Sequence, residues 1–117
     1  MTTKKQLNLI VESDSNKSKI GILRIAPCNK DSNHWQRRKQ QRGINNAMIQ
    51  VALMYGGKHF YKGAVIYTLN DRILKQTPYH HFTDALRGLR VVCLHGLPNP
   101  QILTSYWHSE TKRRVRQ

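Results

Sequence analysis

Apolar side chains at Ile44, Met48, Val51, Ala52 and Tyr55 recur at the three- and four-residue spacing of a helix with one buried face. Asn45 or Asn46 is placed to cap its start, and Gly56-Gly57 to end it. The pattern then shortens. "KHFY", "AVIYTL" and "RILKQ", separated by Gly63 and by Asn70-Asp71, read as two or three antiparallel strands. "HFTDALRGL" fits either a single helical turn or a loop. "RVVCLH" and "QILTSYW" flank "GLPNP", whose glycine and two prolines make a turn between strands. Upstream, "QLNLIVES" and "KIGILRIA" are short β-type runs around "DSNKS", with Pro27 closing the second, and they predict a hairpin or an added edge pair. Between these regions "NKDSN" offers N-cap residues before His34, and Gly43 is placed to end a short helix. The expected fold is α+β: two helices packed on an antiparallel sheet, with an extra N-terminal β-hairpin. Residues 1–30 form the β extension, 31–107 the α+β domain and 108–117 a basic tail.

Charge narrows the partners more than the fold does. The chain of 117 residues is the length of one domain, and it carries 20 Lys plus Arg against 6 Asp plus Glu, a net +14 with a pI near 10.4. That imbalance selects polyanions: RNA, DNA, an anionic membrane surface or an acidic protein. A membrane role needs an apolar anchor beside the charge, and no run approaches the about 20 apolar residues of a spanning helix. Met1 to Asn8 is polar rather than signal-like, so the expected location is cytoplasmic. Cys28 and Cys93 have neither CxxC spacing nor disulfide density, and Cys93 reads as a small buried hydrophobe.

The densest chemistry lies in "HWQRRKQQRGI". On a helix His34, Arg38 and Arg42 stand at i, i+4 and i+8, sharing one face with a drift of about 40° per step. An imidazole with guanidinium groups behind it suits phosphodiester cleavage, with a proton-transfer group near pH 7 and cations for the phosphate. The bland alternative is a solvated basic face, to which Arg37 and Lys39 also belong. In "ILTSYW", Thr104 and Tyr106 share one strand face, while in "AVIYTL" Tyr67 opposes Ile66 and Thr68; a tyrosine and a threonine on a sheet face can hydrogen-bond phosphate or stack a base. Arg72 can pair with Asp71 or Asp84, or reach phosphate. Lys112, Arg113, Arg114 and Arg116 form an electrostatic arm. His95 and His108 are alternative proton-transfer groups. The carboxylates are scattered, HExxH and CxxC are absent, and adjacent His80 and His81 are expected to point apart, so no metal or other cofactor is expected.

In order, His34, Arg38, "RGI" at 42–44, the apolar helix through Leu53, "DR" at 71–72, "LRVVC" at 89–93 and "ILTSY" at 102–106 resemble small bacterial domains of unknown function. Their pattern is His-xxx-Arg-xxx-Arg-Gly-Ile, a late Val-Val strand and Ile-Thr-x-Tyr. That family looks like a relative of the RelE and BrnT toxin-type ribonucleases, over residues 34–107. The resemblance implies a RelE-like sheet and a metal-independent endoribonuclease of toxin–antitoxin type. Its RNA substrate is free or ribosome-associated, and its partner is an acidic antitoxin. Only His34, Arg38, Arg42, Thr104 and Tyr106 carry over, as catalytic positions; Arg37, Lys39, Tyr67, Arg72, Lys112, Arg113 and Arg114 are expected nucleic-acid contacts from their charge and placement, not from the pattern. Residues 1–30 have no counterpart in the pattern, and the turn "HGLPNP" is longer than its usual one. Two other readings fit the composition: a non-catalytic nucleic-acid-binding module, and a subunit of a larger assembly meeting an acidic protein.

Overall fold

The computed structural model describes residues 3–25 and 43–108. Helix α1 spans Thr3–Ser13 and is followed by a 3-10 turn at Ser15–Lys19 and a two-residue strand β1, Arg24–Ile25. Helix α2 spans Asn46–Tyr55, and strands β2 (Gly57–Tyr61) and β3 (Ala64–Thr68) form a hairpin. Two single-turn helices follow, α3 (Asp71–Leu74) and α4 (Thr83–Leu86), and then strands β4 (Leu89–Cys93) and β5 (Gln101–Trp107). The sheet order is β1-β5-β4-β3-β2. Strands β2 to β5 are antiparallel throughout, and β1 joins the far edge parallel to β5.

Helix α2 forms where the apolar spacing places it. The Asn45 side chain accepts from the Met48 N–H at 3.0 Å, which satisfies one of the donors a helix start leaves open. Ala47, Ile49, Val51, Ala52 and Leu53 are buried. They share one core with Val65 and Tyr67 of β3, Leu89, Val91 and Cys93 of β4, and Ile102 of β5. The sheet therefore turns one face to the helix layer, and the alternate residues turn the other way.

The N-terminal β-hairpin expected from the sequence is not formed. "QLNLIVES" is helical, and Leu7 and Val11 are buried while Leu9 is 58 % exposed. Leu7, Leu9 and Val11 imitate strand alternation, but the buried set is Leu7 with half-buried Ile10 and Val11, at i, i+3 and i+4. Of "KIGILRIA" only Arg24–Ile25 is extended, and it pairs with β5 rather than with its upstream neighbour. "RILKQ" is likewise not a strand. The Asn70 side chain accepts from the Ile73 N–H at 2.9 Å and starts helix α3. "HFTDALRGL" resolves into a 3-10 turn at His80–Phe82 and helix α4. The short helix expected over 33–42 lies outside the described residues, as does the basic tail from 109 onward.

The N-terminal segment is tied to the β4–β5 turn through Asn99. Its side chain accepts from the Ile22 N–H at 2.6 Å, and its own N–H donates to the Ile20 carbonyl at 2.7 Å. Gly21 sits between them at φ +74, where an added Cβ falls 2.3 Å from the Asn99 side-chain oxygen. Gly21→Ala therefore adds left-handed strain and displaces the Asn99 amide. The expected loss is about 2 kcal/mol, from about 1–2 for the backbone and about 1 for the hydrogen bond. Urea denaturation checks it, and an unchanged midpoint would mean that the Asn99 contact is dispensable.

Candidate nucleic-acid interface

The sheet register decides which side chains meet on the face turned away from α2. Thr68 stands opposite Arg90, and Arg90 opposite Tyr106. Along the next row Val92 lies between Ile66 and Thr104, with His59 opposite Ile66. Leu103, beside the register shift of β5, is 44 % exposed. On this outer face Arg90 Nε donates to Thr68 Oγ1 at 3.1 Å, and Arg90 Nη1 donates to Tyr106 Oη at 3.4 Å. Both hydroxyl oxygens act as acceptors here, so their own O–H groups remain able to donate. The three half-buried side chains thus present guanidinium and hydroxyl hydrogens together, a donor set that suits phosphate oxygens.

Among the described residues the carboxylates lie away from this face. None of the residues of β1 to β5 is acidic. Glu12 pairs with Lys17 at 2.8 Å, and Arg87 binds both Asp71 and Asp84. Asp14 accepts from the Tyr55 and Tyr79 hydroxyls at 2.8 and 2.9 Å. Every acidic side chain among the described residues is therefore engaged elsewhere. The potential over the outer face is set by Arg90 and the net charge of the chain.

Asp14, Tyr55 and Tyr79 form a polar cluster beneath α1 rather than a reactive site. Burial raises the Asp14 carboxyl, but the Asn16 N–H and the two tyrosine hydroxyls outweigh it, leaving Asp14 below its ordinary value of 3.8. Burial and the facing carboxylate push both tyrosines upward, Tyr79 most strongly. Cys93 is wholly buried, and burial pushes its thiol up to about 11, which leaves it protonated and unreactive near neutral pH.

Of the residues singled out in the sequence, Thr104 and Tyr106 lie on the outer face beside Arg90. Tyr67 does not: it points into the core at 4 % exposure, and its hydroxyl accepts from the Leu97 N–H at 3.2 Å. Its alternation within β3 places it opposite Thr68, so it serves packing rather than contact. Arg72 is exposed on α3, and the two carboxylates considered for it, Asp71 and Asp84, are both taken by Arg87. His80 and His81 do not point apart, because the 3-10 turn brings their rings to 4.0 Å between centroids. Among the described residues no three His, Cys, Asp or Glu side chains come close enough to hold a metal ion. His95 Nε2 lies 3.2 Å from the Asn99 carbonyl within its own turn. His34, Arg37, Arg38, Lys39, Arg42, Lys112, Arg113 and Arg114 lie outside the described residues.

Arg90 was missed as a site residue, although its signal is present. In "LRVVC" a strand period of two that buries Leu89, Val91 and Cys93 sends Arg90 to the other face. No protein-family model matches the chain, and neither a curated protein nor a solved structure matches it. No helix among the described residues is long and apolar enough to cross a membrane.

Proposed function

We propose that the protein binds RNA on the outer face of its sheet, with Arg90, Thr68 and Tyr106 holding a backbone phosphate. The observation that carries this is the cluster of guanidinium and hydroxyl donors on a sheet whose strands hold no carboxylate, in a chain of net charge +14. Arg90→Ala is expected to weaken RNA binding about tenfold and to lower the salt slope by about one counterion, because one phosphate contact is lost. The guanidinium is half-buried and outside the core cluster, so the thermal midpoint should move little. Fluorescence anisotropy over a salt series measures both quantities. Unchanged affinity in Arg90→Ala would remove the assignment.

The toxin-type resemblance adds cleavage to this reading, and the presence of Thr104 and Tyr106 on the same face as Arg90 favours it. In that scheme the 2′-oxygen of the substrate attacks phosphorus as His34 takes its proton. The bond to the 5′-oxygen then breaks, and a proton returned by the imidazolium completes the leaving group. Arg38 and Arg42 bind the scissile phosphate, and Tyr106 orients it. The protein is then a toxin-like, metal-independent endoribonuclease of the cytoplasm, held in check by an acidic antitoxin. Labelled RNA incubated in EDTA with the parent and with a His34→Ala, Arg38→Ala double variant separates the two activities. Cleavage by the parent alone supports the enzyme, whereas retention without cleavage leaves a binding module.

A further inference from the structure

The hairpin formed by β2 and β3 carries a feature that packing does not explain. Phe60 and Tyr61 are 73 % and 58 % exposed, large aromatic rings on β2, the edge strand among the described residues. Lys58 and His59 beside them are exposed as well. The two turn residues, Lys62 and Gly63, have φ of +48 and +82, the pair of positive values that a two-residue type I′ turn requires. Asparagine or glycine is the favoured first residue of such a turn, and lysine is strained there. In return the Lys62 ammonium lies 5.3 Å from the centre of the Tyr61 ring, which leaves a cation and an aromatic surface together at the tip.

The register connects this tip to the phosphate cluster. His59 and Tyr61 alternate onto the outer face with Thr68, Arg90 and Tyr106, while Phe60 takes the other side of the edge strand. Tyr61 lies three strands across from Tyr106 and four residues along, about 20 Å at ordinary strand spacings. We infer that the Lys58–Lys62 hairpin grips the bases of single-stranded RNA, by stacking on Tyr61 and Phe60, while Arg90 and its neighbours hold the backbone. This rests on the RNA-binding reading above and adds the strandedness of the ligand and a second contact point. Duplex RNA keeps its base faces stacked inside the helix, so exposed rings gain nothing from it, whereas a single strand offers every base. A second copy of the chain is the competing occupant of an edge strand. Lysines at both ends of β2 and the charge of +14 on each copy oppose that pairing.

The test compares a labelled single-stranded RNA of about ten nucleotides with a duplex of the same sequence, for the parent, a Phe60→Ser, Tyr61→Ser double variant and Phe60→Trp. The parent is expected to prefer the single strand. The double variant should lose about tenfold or more on the single strand, keep its duplex affinity, and melt with the parent because both rings are exposed. The extra fluorescence introduced by Phe60→Trp should be quenched by the single strand and not by the duplex. A double variant that matches the parent on both RNAs, or loses both equally, overturns the hairpin contact while leaving the Arg90 site standing. So does a parent dimer that the double variant turns into a monomer of unchanged RNA affinity. A parent that binds neither RNA overturns the RNA reading itself, and the hairpin inference with it.

Discussion

Tyr79→Ala is expected to cost about 3–5 kcal/mol, the range for deleting a buried aromatic ring. Tyr79 has no exposed surface, its ring lies 5.8 Å from that of Tyr55, and its hydroxyl donates to Asp14 at 2.9 Å. The truncation therefore opens a cavity in the core and takes one donor from a half-buried carboxylate. For a domain of this size the thermal midpoint should fall by about 15 °C. Tyr79→Phe separates the two contributions. It keeps the ring and removes only the hydroxyl, at a cost of about 1–2 kcal/mol. Differential scanning calorimetry on both variants checks the pair, and equal losses would mean that the hydroxyl, not the ring, is what the core depends on.

Asp14→Ala should follow at about 2–4 kcal/mol, because its carboxylate accepts three hydrogen bonds, from the Asn16 N–H and from both tyrosines. Its alanine variant leaves the Tyr79 hydroxyl buried without this acceptor. The effect carries a pH signature whose sign is fixed by the direction of the shift. Asp14 titrates lower in the folded protein than its ordinary value of 3.8, so its contribution is complete above the unfolded pKa and is lost as pH falls through the folded one. The gap between parent and Asp14→Ala should be constant above about pH 5 and close progressively below about pH 4. Tyr55 and Tyr79 titrate higher in the folded protein than when unfolded, so their contribution is complete below the ordinary tyrosine value of 10.0 and declines above it. Urea midpoints across the acid range measure the first closure. A gap that stays constant down to pH 2 would mean that the carboxylate charge plays no part.

How much of this was readable in advance differs by element. Helix α2 and the strands β2, β3, β4 and β5 follow from periodicity, with Asn45 and the "GLPNP" turn marking boundaries. In α1 the alternation of Leu7, Leu9 and Val11 mimics a strand, and only tertiary contact decides that Leu9 stays out while Ile10 turns in. In α3 a cap at Asn70 outweighs the extended look of "RIL". On the outer face Thr104 and Tyr106 were found from alternation, whereas Arg90 needed the pairing of β4 with both β3 and β5 to bring it between two hydroxyls. The aromatic hairpin escaped for a related reason. "KHFY" looks like an ordinary strand until its place at the edge of the described sheet, with both rings exposed, is known.

The bond between Asp14 and Tyr79 joins residues 65 positions apart, and that separation has a meaning during synthesis. At about 5–20 residues per second the ribosome adds Tyr79 some 3–13 s after Asp14. An isolated helix of 11 residues is marginal in water, and α1 gains its seat against α2 and the Tyr55 hydroxyl on Asp14 before Tyr79 is added. Tyr79 thus completes the Asp14 cluster last, and α1 is held through α2 and Tyr55 until it arrives.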